Sequence, residues 1–166
     1  EATFLKMLVM LTNARRILEI GMFTGYTTLA LAEAIPKGGT IVSCEINPET
    51  VEIAKRYFTE SPHGSKIEVR LGPASDTLKR VWGPFDICFI DADIEKYATY
   101  YEACMDLVRR GGLIILDNML HGGRVIDARD EATKAIDALN KHIRNDARVE
   151  NVLLPVRDGI MLVRKL

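Results

Sequence analysis

Apolar runs alternate with amphipathic stretches along the whole chain, and Gly, Pro or Asn stands at most of the changes. Short apolar runs between such residues are typical of buried strands, and stretches with apolar residues every three or four positions are typical of helices. Five strands separated by helices predict a doubly wound, mostly parallel α/β sheet. The last two β-rich runs are joined only by the sequence RDG, so we expect seven strands that end in an antiparallel hairpin.

Individual helices carry further signals. Asn47 is a good N-cap, and Pro48 suits the first helical position, so a helix is predicted to begin there. The segments 95–110 and 128–146 are also predicted to be helical. Apolar side chains of the second segment fall on one stripe that suits packing on a sheet: Ala132, Ile136, Leu139 and Ile143. The aromatic residues of the first are predicted to pack on the sheet or at a dimer face: Tyr97, Tyr100 and Tyr101.

Composition limits the classes of partner. The 166 residues are 48% hydrophobic and 27% charged with a net charge of −1, as expected for one globular domain over residues 1–166. Lys and Arg are scattered and no long apolar run occurs, so neither a nucleic acid nor a membrane is an expected partner. Three cysteines without a CxxC motif suggest buried side chains in a reducing cytoplasm. Because the sequence begins at Glu1 rather than Met, we expect that an N-terminal segment is missing.

Ligands of open parallel sheets bind outside the carboxyl ends of the strands. The first strand ends in EIGMFTGY, where Gly21 and Gly25 allow a turn to pass close to a ligand. Their spacing is not the G-x-G-x-x-G of dinucleotide sites, and an ordinary strand-to-helix turn is the alternative. Glu45 ends the second strand, 24 residues after Gly21 (45 − 21 = 24). It is either a solvated charge or an acceptor for ribose hydroxyls, and together with the glycine turn it favours a nucleotide-like ligand.

Carboxylates also follow the fourth and fifth predicted strands. Asp91 and Asp93 end the apolar run ICFI, and Asp117 and Asn118 end the run LIIL. Oxygen ligands at the ends of adjacent strands can converge on one hard cation, and Mg²⁺, Mn²⁺ and Ca²⁺ all suit them. The alternative is that Asp91 and Asp117 only cap the following loops.

A set of segments, in this order, resembles the cation-dependent O-methyltransferases of the catechol and caffeoyl-coenzyme A type. The segments are EIGMFTGYTT, CEINPE, LGPASDTL, FIDADIEKYATYY and LDNMLHGGRV, and the resemblance extends from Phe4 to Leu166. Its most specific part is the 26-residue spacing of Asp91 and Asp117 (117 − 91 = 26), followed by Asn118. The resemblance implies a Rossmann-like sheet, S-adenosylmethionine as methyl donor, a divalent cation with Mg²⁺ foremost, a small aromatic substrate with vicinal hydroxyls, and a homodimer.

The same resemblance implies roles for single residues. The resemblance implies a set of donor-binding residues. They are Gly21 at the methionine portion, Glu19 as a support of the same loop, Gly25 in the same turn, Thr27 at the carboxylate, Glu45 at the ribose, Ala74 and Ser75 at the adenine, Asp93 at the amino group, and Asp91 next to it. The implied cation ligands are Asp91, Asp117 and Asn118. One carboxylate of the pair Asp91 and Asp93 would then face the cation and the other the donor's ammonium group.

The sequence departs from the family pattern at the general base. Relatives have a Lys where this chain has Ile94, and Lys96 is expected to point elsewhere because it lies about 200° further round a helix. His121 is the candidate base or substrate contact, since its pKa is ordinarily close to neutrality. Loss of a general base typically slows a reaction by about 10²- to 10⁴-fold without abolishing it. The missing N-terminal helical segment is the second departure.

Three other functions compete with a metal-dependent catechol O-methyltransferase. A non-catalytic relative that binds donor and metal is suggested by Ile94. A nicotinamide-dependent oxidoreductase shares the layered fold, but the third glycine of its motif is lacking. A nucleic-acid methyltransferase is disfavoured by the acidic strand ends and the lack of a basic patch.

Overall fold

The structure is a computed structural model that describes all residues, Glu1–Leu166. Six helices and seven strands follow one another along the chain. The helices are α1 (Ala2–Thr12), α2 (Tyr26–Ala34), α3 (Pro48–Glu60), α4 (Ala74–Leu78), α5 (Tyr97–Leu107) and α6 (Glu131–Arg144). The strands are β1 (Arg16–Ile20), β2 (Thr40–Glu45), β3 (Ile67–Leu71), β4 (Phe85–Ile90), β5 (Val108–Leu116), β6 (Val149–Leu154) and β7 (Ile160–Lys165).

The seven strands form one sheet in the order β3-β2-β1-β4-β5-β7-β6. The first five are mutually parallel, while β7 runs antiparallel to both of its neighbours. This confirms the predicted doubly wound sheet and its closing hairpin. The strand order reverses beside β1, which is where ligands bind in such folds. None of the helices has the length and hydrophobicity that crossing a membrane requires.

The helices bury the faces that their apolar patterns predict. Ile136, Leu139 and Ile143 of α6 pack into the main core on one side of the sheet. The three tyrosines of α5 lie in the same core, which confirms their predicted packing. All three cysteines are buried and free. Helix α3 begins at Pro48 as predicted, and the Asn47 side chain accepts a hydrogen bond from the backbone N–H of Glu49 at 2.9 Å.

The predicted end of α5 is wrong. The helix ends at Leu107, and the residues expected to continue it to Arg110 already belong to β5. Two contacts explain the early end. Lys165 Nζ binds the carbonyl oxygens of Met105 and Val108 at 2.6 and 3.0 Å, which satisfies acceptors at the helix end. Arg109 is held by Asp86, its Nε lying 2.6 Å from a carboxylate oxygen. Helix α6 is likewise shorter than predicted, because Asp130 caps it by accepting from the Thr133 N–H.

Candidate active site

Four neighbouring strands end in register. Ile20 of β1 pairs with Cys44 of β2 on one side and with Ile90 of β4 on the other, and Ile90 pairs with Leu116 of β5. The next residue of each strand therefore lies in one line across the edge of the sheet, with about 4.8 Å between neighbouring strands. We call these four residues the strand-end row: Glu45, Gly21, Asp91 and Asp117.

Gly21 lets the chain pass close to β4. Its φ is +97°, and a Cβ atom added there would lie 1.9 Å from the backbone oxygen of Asp91. The backbone N–H groups of Gly21 and Met22 both donate to the carbonyl of Cys44. Gly25 is needed for a different reason, because a Cβ there would meet the Phe58 ring of α3 at 2.5 Å. Gly21 thus shapes the row, whereas Gly25 lets α2 pack against α3.

Glu45 is oriented by backbone donors. One carboxylate oxygen accepts from the N–H of Phe23 at 2.7 Å, and the other accepts from Ile46 and Asn47 at 2.8 Å each. A carboxylate has about four lone-pair sites, and three of them are used here, so Oε2, which accepts only from Phe23, keeps one site for a ligand. The side chain is fixed at the end of β2, next to Gly21, as a ribose acceptor would need to be.

Glu19 lies under the row, inside the protein. It is fully buried, and one carboxylate oxygen accepts from the hydroxyls of Thr28, at 2.6 Å, and Ser43. Its other oxygen, Oε1, has no partner. Burial raises the pKa of Glu19 to about 7, although the two hydroxyl donors oppose the rise. Glu19 therefore supports the loop from below rather than lining the space above it.

Replacing Glu19 with Gln should flatten the dependence of stability on pH. In the wild type the unfolded chain releases this proton near pH 4.5 and the folded chain near pH 7, so Glu19 lowers stability as pH rises between these values. The loss in the free energy of unfolding between these two pH values amounts to at most about 3 kcal/mol. Urea unfolding at several pH values should show a shallower decline for Glu19→Gln than for the wild type. The exposed Glu49→Gln variant should keep the wild-type slope, and equal slopes for all three proteins would contradict the account.

Asp91 and Asp117 stand side by side at the ends of β4 and β5. Asp117 is 4% exposed, and its Oδ1 accepts from the N–H of Asn118 at 2.8 Å. Asp91 is an exposed residue, but partial desolvation of its carboxyl group, and secondarily the charge of Asp117, raises its pKa to about 6. Two neighbouring carboxylates, followed in the chain by the amide of Asn118, offer the oxygen ligands that a hard divalent cation prefers. The residues thus fit the predicted cation chemistry.

Two further charged side chains lie near this pair, and no sequence pattern predicted either of them. The Glu1 carboxylate contributes to raising the pKa of Asp117, behind the larger effect of burial. Arg157 Nη1 lies 3.0 Å from Glu1 Oε2. Both residues are far from Asp117 in sequence, so only the folded chain brings them together.

A cavity of about 400 Å³ opens above the row. Six of the predicted site residues line it: Gly21, Thr27, Glu45, Ala74, Asp91 and Asp93. The other predicted residues, which are Glu19, Gly25, Ser75, Asp117, Asn118 and His121, do not line it. Residues that the prediction missed also line the cavity, among them Phe23, Tyr26, Gly72, Lys96 and Tyr100. The turn at Gly72 was recognisable from its Gly-Pro pair, whereas the exposed aromatic side chains carry no such signal.

Lys96 lies at the cavity, which corrects the expectation that it points elsewhere. Residues Ile94–Lys96 form a 3₁₀ turn before α5 instead of an α-helical turn, so the assumed rotation does not apply. Lys96 Nζ lies 2.7 Å from Asp93 Oδ2, and both side chains are half exposed. Ile94 packs against the main core. The carboxylate predicted to meet the donor's amino group thus already holds a cationic partner.

His121 is hydrogen-bonded through both ring nitrogens. Nδ1 lies 2.8 Å from Thr133 Oγ1, and Nε2 lies 2.8 Å from Arg124 Nη2. Because a guanidinium can only donate, Nε2 is the acceptor in this contact and Nδ1 carries the proton. The residue would have to release Arg124 before it could accept a proton from a substrate. Its role as the base stays a prediction.

The strand order, with β7 antiparallel to its neighbours, matches the Rossmann-like fold of methyltransferases. The sequence profile of the family described as O-methyltransferase matches residues 1–166. The chain therefore belongs to the O-methyltransferase family, and the enzyme class predicted from the sequence is confirmed.

Individual relatives agree with this assignment. The chain is 37% identical over 174 residues to the probable caffeoyl-CoA O-methyltransferase 2 of Dictyostelium discoideum, covering 100% of this chain and 75% of that protein. It is 39% identical over 180 residues to caffeoyl-CoA O-methyltransferase 2 of Zea mays, covering 100% and 68%. The crystal structure of an O-methyltransferase from Bacillus cereus in complex with SAH superposes with a TM-score of 0.93 at 33% identity, covering 99% of this chain and 80% of that one.

Proposed function

We propose that the protein transfers a methyl group from S-adenosylmethionine to a hydroxyl of a catechol-like aromatic acceptor, with the help of a divalent cation. The observation that carries this proposal is the strand-end row. It aligns four residues across adjacent strands. Glu45 would accept the ribose hydroxyls, Gly21 allows the close approach, and Asp91 and Asp117 would hold the cation. Donor and acceptor sites are therefore neighbours on one rigid edge of the sheet.

The donor would lie in the cavity, with its ribose at Glu45 and its methionine portion over Gly21. SAH in the similar Bacillus cereus enzyme supports this choice of donor. Ala74 and Thr27 also line the cavity. Ala74 would lie at the adenine and Thr27 at the carboxylate of the donor. The donor's ammonium group would bind the Asp93 carboxylate. It would either share this carboxylate with Lys96 or replace Lys96 as its partner. An exposed ion pair typically contributes about 1 kcal/mol or less, so breaking the pair of Lys96 and Asp93 would cost a bound ligand little affinity.

Asp91, Asp117 and Asn118 would hold the cation. A divalent cation in such a set supplies Lewis-acid polarisation of two vicinal hydroxyls, which makes a phenol more acidic. In the transfer, the acidified hydroxyl loses its proton to solvent, its oxygen forms a bond to the methyl carbon, and the donor's S–C bond breaks, which leaves S-adenosylhomocysteine. The protein would contribute to this step by alignment, because the row would fix the distance and direction between the donor site and the acceptor site.

A second candidate function is a relative that binds donor and cation without turnover. The observation in its favour is that Ile94, at the position of the usual Lys, packs into the core and offers no base. Neither Lys96, paired with Asp93, nor His121, paired with Arg124, replaces that base in the observed arrangement. We favour the enzyme, because an acceptor made acidic by the cation needs less help from a base.

The donor site is tested by titrating the wild type with S-adenosylhomocysteine. We expect clear binding, and we expect Glu45→Gln to weaken it about tenfold or more, because the charge of the hydrogen-bond acceptor is lost. Glu49→Gln, four residues further on the exposed start of α3, is the control and should bind like the wild type. Binding of NADH in place of S-adenosylhomocysteine would point instead to an oxidoreductase.

A further inference from the structure

The turn between β6 and β7 lies directly beside Asp117 of the row. Leu116 of β5 pairs with Met161 of the antiparallel β7, so the residues one step further, Asp117 and Ile160, face each other. The turn precedes Ile160 and therefore stands on the side of Asp117 that is opposite Asp91. An acceptor bound at these two carboxylates can extend towards this turn.

The turn is tied to the chain that follows Asp117. Met119 N–H donates to the carbonyl of Gly159 at 2.9 Å, and Leu120 N–H donates to that of Asp158 at 2.8 Å. The Asp158 carboxylate also accepts from the N–H of Gly122. Because these contacts join the two segments, the backbone that carries Arg157 is held in place next to the carboxylates.

Arg157 points a largely unsatisfied guanidinium into this region. Its side chain is 68% exposed, whereas its partner Glu1 is 11% exposed, so the guanidinium lies on the solvent side of the pair. The contact of Nη1 with Glu1 is its only side-chain contact to a protein acceptor in the structure. A guanidinium has five N–H donors, so most of them are free for a ligand. Its charge also reaches the row, since it lowers the pKa of both Asp91 and Asp117 against the larger opposing effects.

The backbone of Arg157 supports a role beyond the turn itself. Its φ is +52°, a left-handed conformation that Gly adopts freely and that other residues adopt at a cost. A turn of this shape would form more easily with Gly at this position. The chain instead places there a long cationic side chain that faces the acceptor side of the row.

We infer that Arg157 selects acceptors that carry a carboxylate on the ring, across from the two vicinal hydroxyls. The inference rests on the proposed function and names its substrate class. With the hydroxyls at Asp91 and Asp117, the opposite end of the ring extends past β5 towards the guanidinium. A planar guanidinium binds a carboxylate through two parallel hydrogen bonds, which gives both affinity and orientation.

The test compares 3,4-dihydroxybenzoate with unsubstituted catechol as acceptors, in Mg²⁺. For Arg157→Gln we expect the ratio of kcat/KM for 3,4-dihydroxybenzoate to kcat/KM for catechol to fall about tenfold. The fall should come mainly from a higher KM for the acid, because one exposed charge-assisted contact is lost. Arg157→Gly should show the same fall, and it cannot strain the turn. Arg164→Gln is the matched control, because it removes an exposed Arg of the same hairpin that pairs with Glu150 instead. Its ratio should equal that of the wild type.

An unchanged ratio in both Arg157 variants, or an equal loss on both acceptors, would overturn the inference and leave Arg157 as a structural contact of Glu1. Inhibition by benzoate is a second measurement of the same contact, since benzoate carries the carboxylate but no hydroxyls. It should inhibit the wild type competitively against catechol and inhibit Arg157→Gln less. If the wild type methylates neither acceptor, the proposed function itself fails, and this outcome is distinct from a lost preference.

Discussion

Replacing Asp117 with Asn is expected to lower methyl transfer in Mg²⁺ by about a thousandfold, the scale on which a bound cation stabilises developing charge. Asn keeps the shape of the side chain, and its carbonyl oxygen can still accept from the N–H of Asn118. What is lost is one of the two charges that would hold the cation. The fold should survive, because removing one of two crowded carboxylates relieves their repulsion.

The cation site can be measured without turnover. Binding of Mn²⁺ to Asp117→Asn, followed by its electron paramagnetic resonance signal, should be weakened in parallel with the activity. Asp106→Asn, which changes an exposed carboxylate of α5, should behave like the wild type in both assays. Wild-type activity in Asp117→Asn would show that this carboxylate holds no catalytic cation.

Replacing Gly21 with Ala should both destabilise the protein and abolish donor binding. The new Cβ would lie 1.9 Å from the backbone oxygen of Asp91, and backbone cannot move aside as a flexible side chain can. Overpacking of this kind costs about 1 to 3 kcal/mol, and the left-handed conformation adds about 1 to 2 kcal/mol. Because β1 and β4 must separate to make room for the alanine side chain, the row would lose its alignment. Urea unfolding and titration with S-adenosylhomocysteine measure the two effects.

Gly123 provides the control for Gly21. It has a similar positive φ of +76°, but a Cβ there would have nothing within 4 Å. Gly123→Ala should therefore show only the cost of the left-handed conformation, about 1 to 2 kcal/mol, and bind the donor normally. If Gly21→Ala were no less stable than Gly123→Ala and still bound the donor, the close approach at the row would have no functional role.

Local signals carried the prediction of the sheet and of the strand ends. Apolar runs and glycine turns mark where each strand stops, and a parallel sheet brings such stops to one edge. The four residues of the row were therefore identifiable from the sequence. Their alignment across four strands was not, because it depends on the register of the strand pairs. The cap at Asn47 was predicted for the same reason, because its signal lies within a few neighbouring residues.

What the sequence did not reveal depends on contacts between distant parts of the chain. The early end of α5 follows from Lys165, which lies almost sixty residues later and binds the last carbonyls of the helix. The position of Lys96 depends on a 3₁₀ turn, whose geometry differs from the helical turn that its spacing suggested. Arg157 reaches the row only because β7 pairs with β5.

The central claim, that the row brings a cation-held catechol to a methyl donor, is tested most directly by one assay. Methyl transfer from S-adenosylmethionine to catechol is measured in Mg²⁺, in EDTA, and in EDTA followed by excess Mg²⁺. We expect a methylated product in Mg²⁺, its loss in EDTA and its return when Mg²⁺ is restored. Turnover that EDTA leaves unchanged would contradict the role of the cation, and no turnover with the donor bound would identify the protein as the non-catalytic relative.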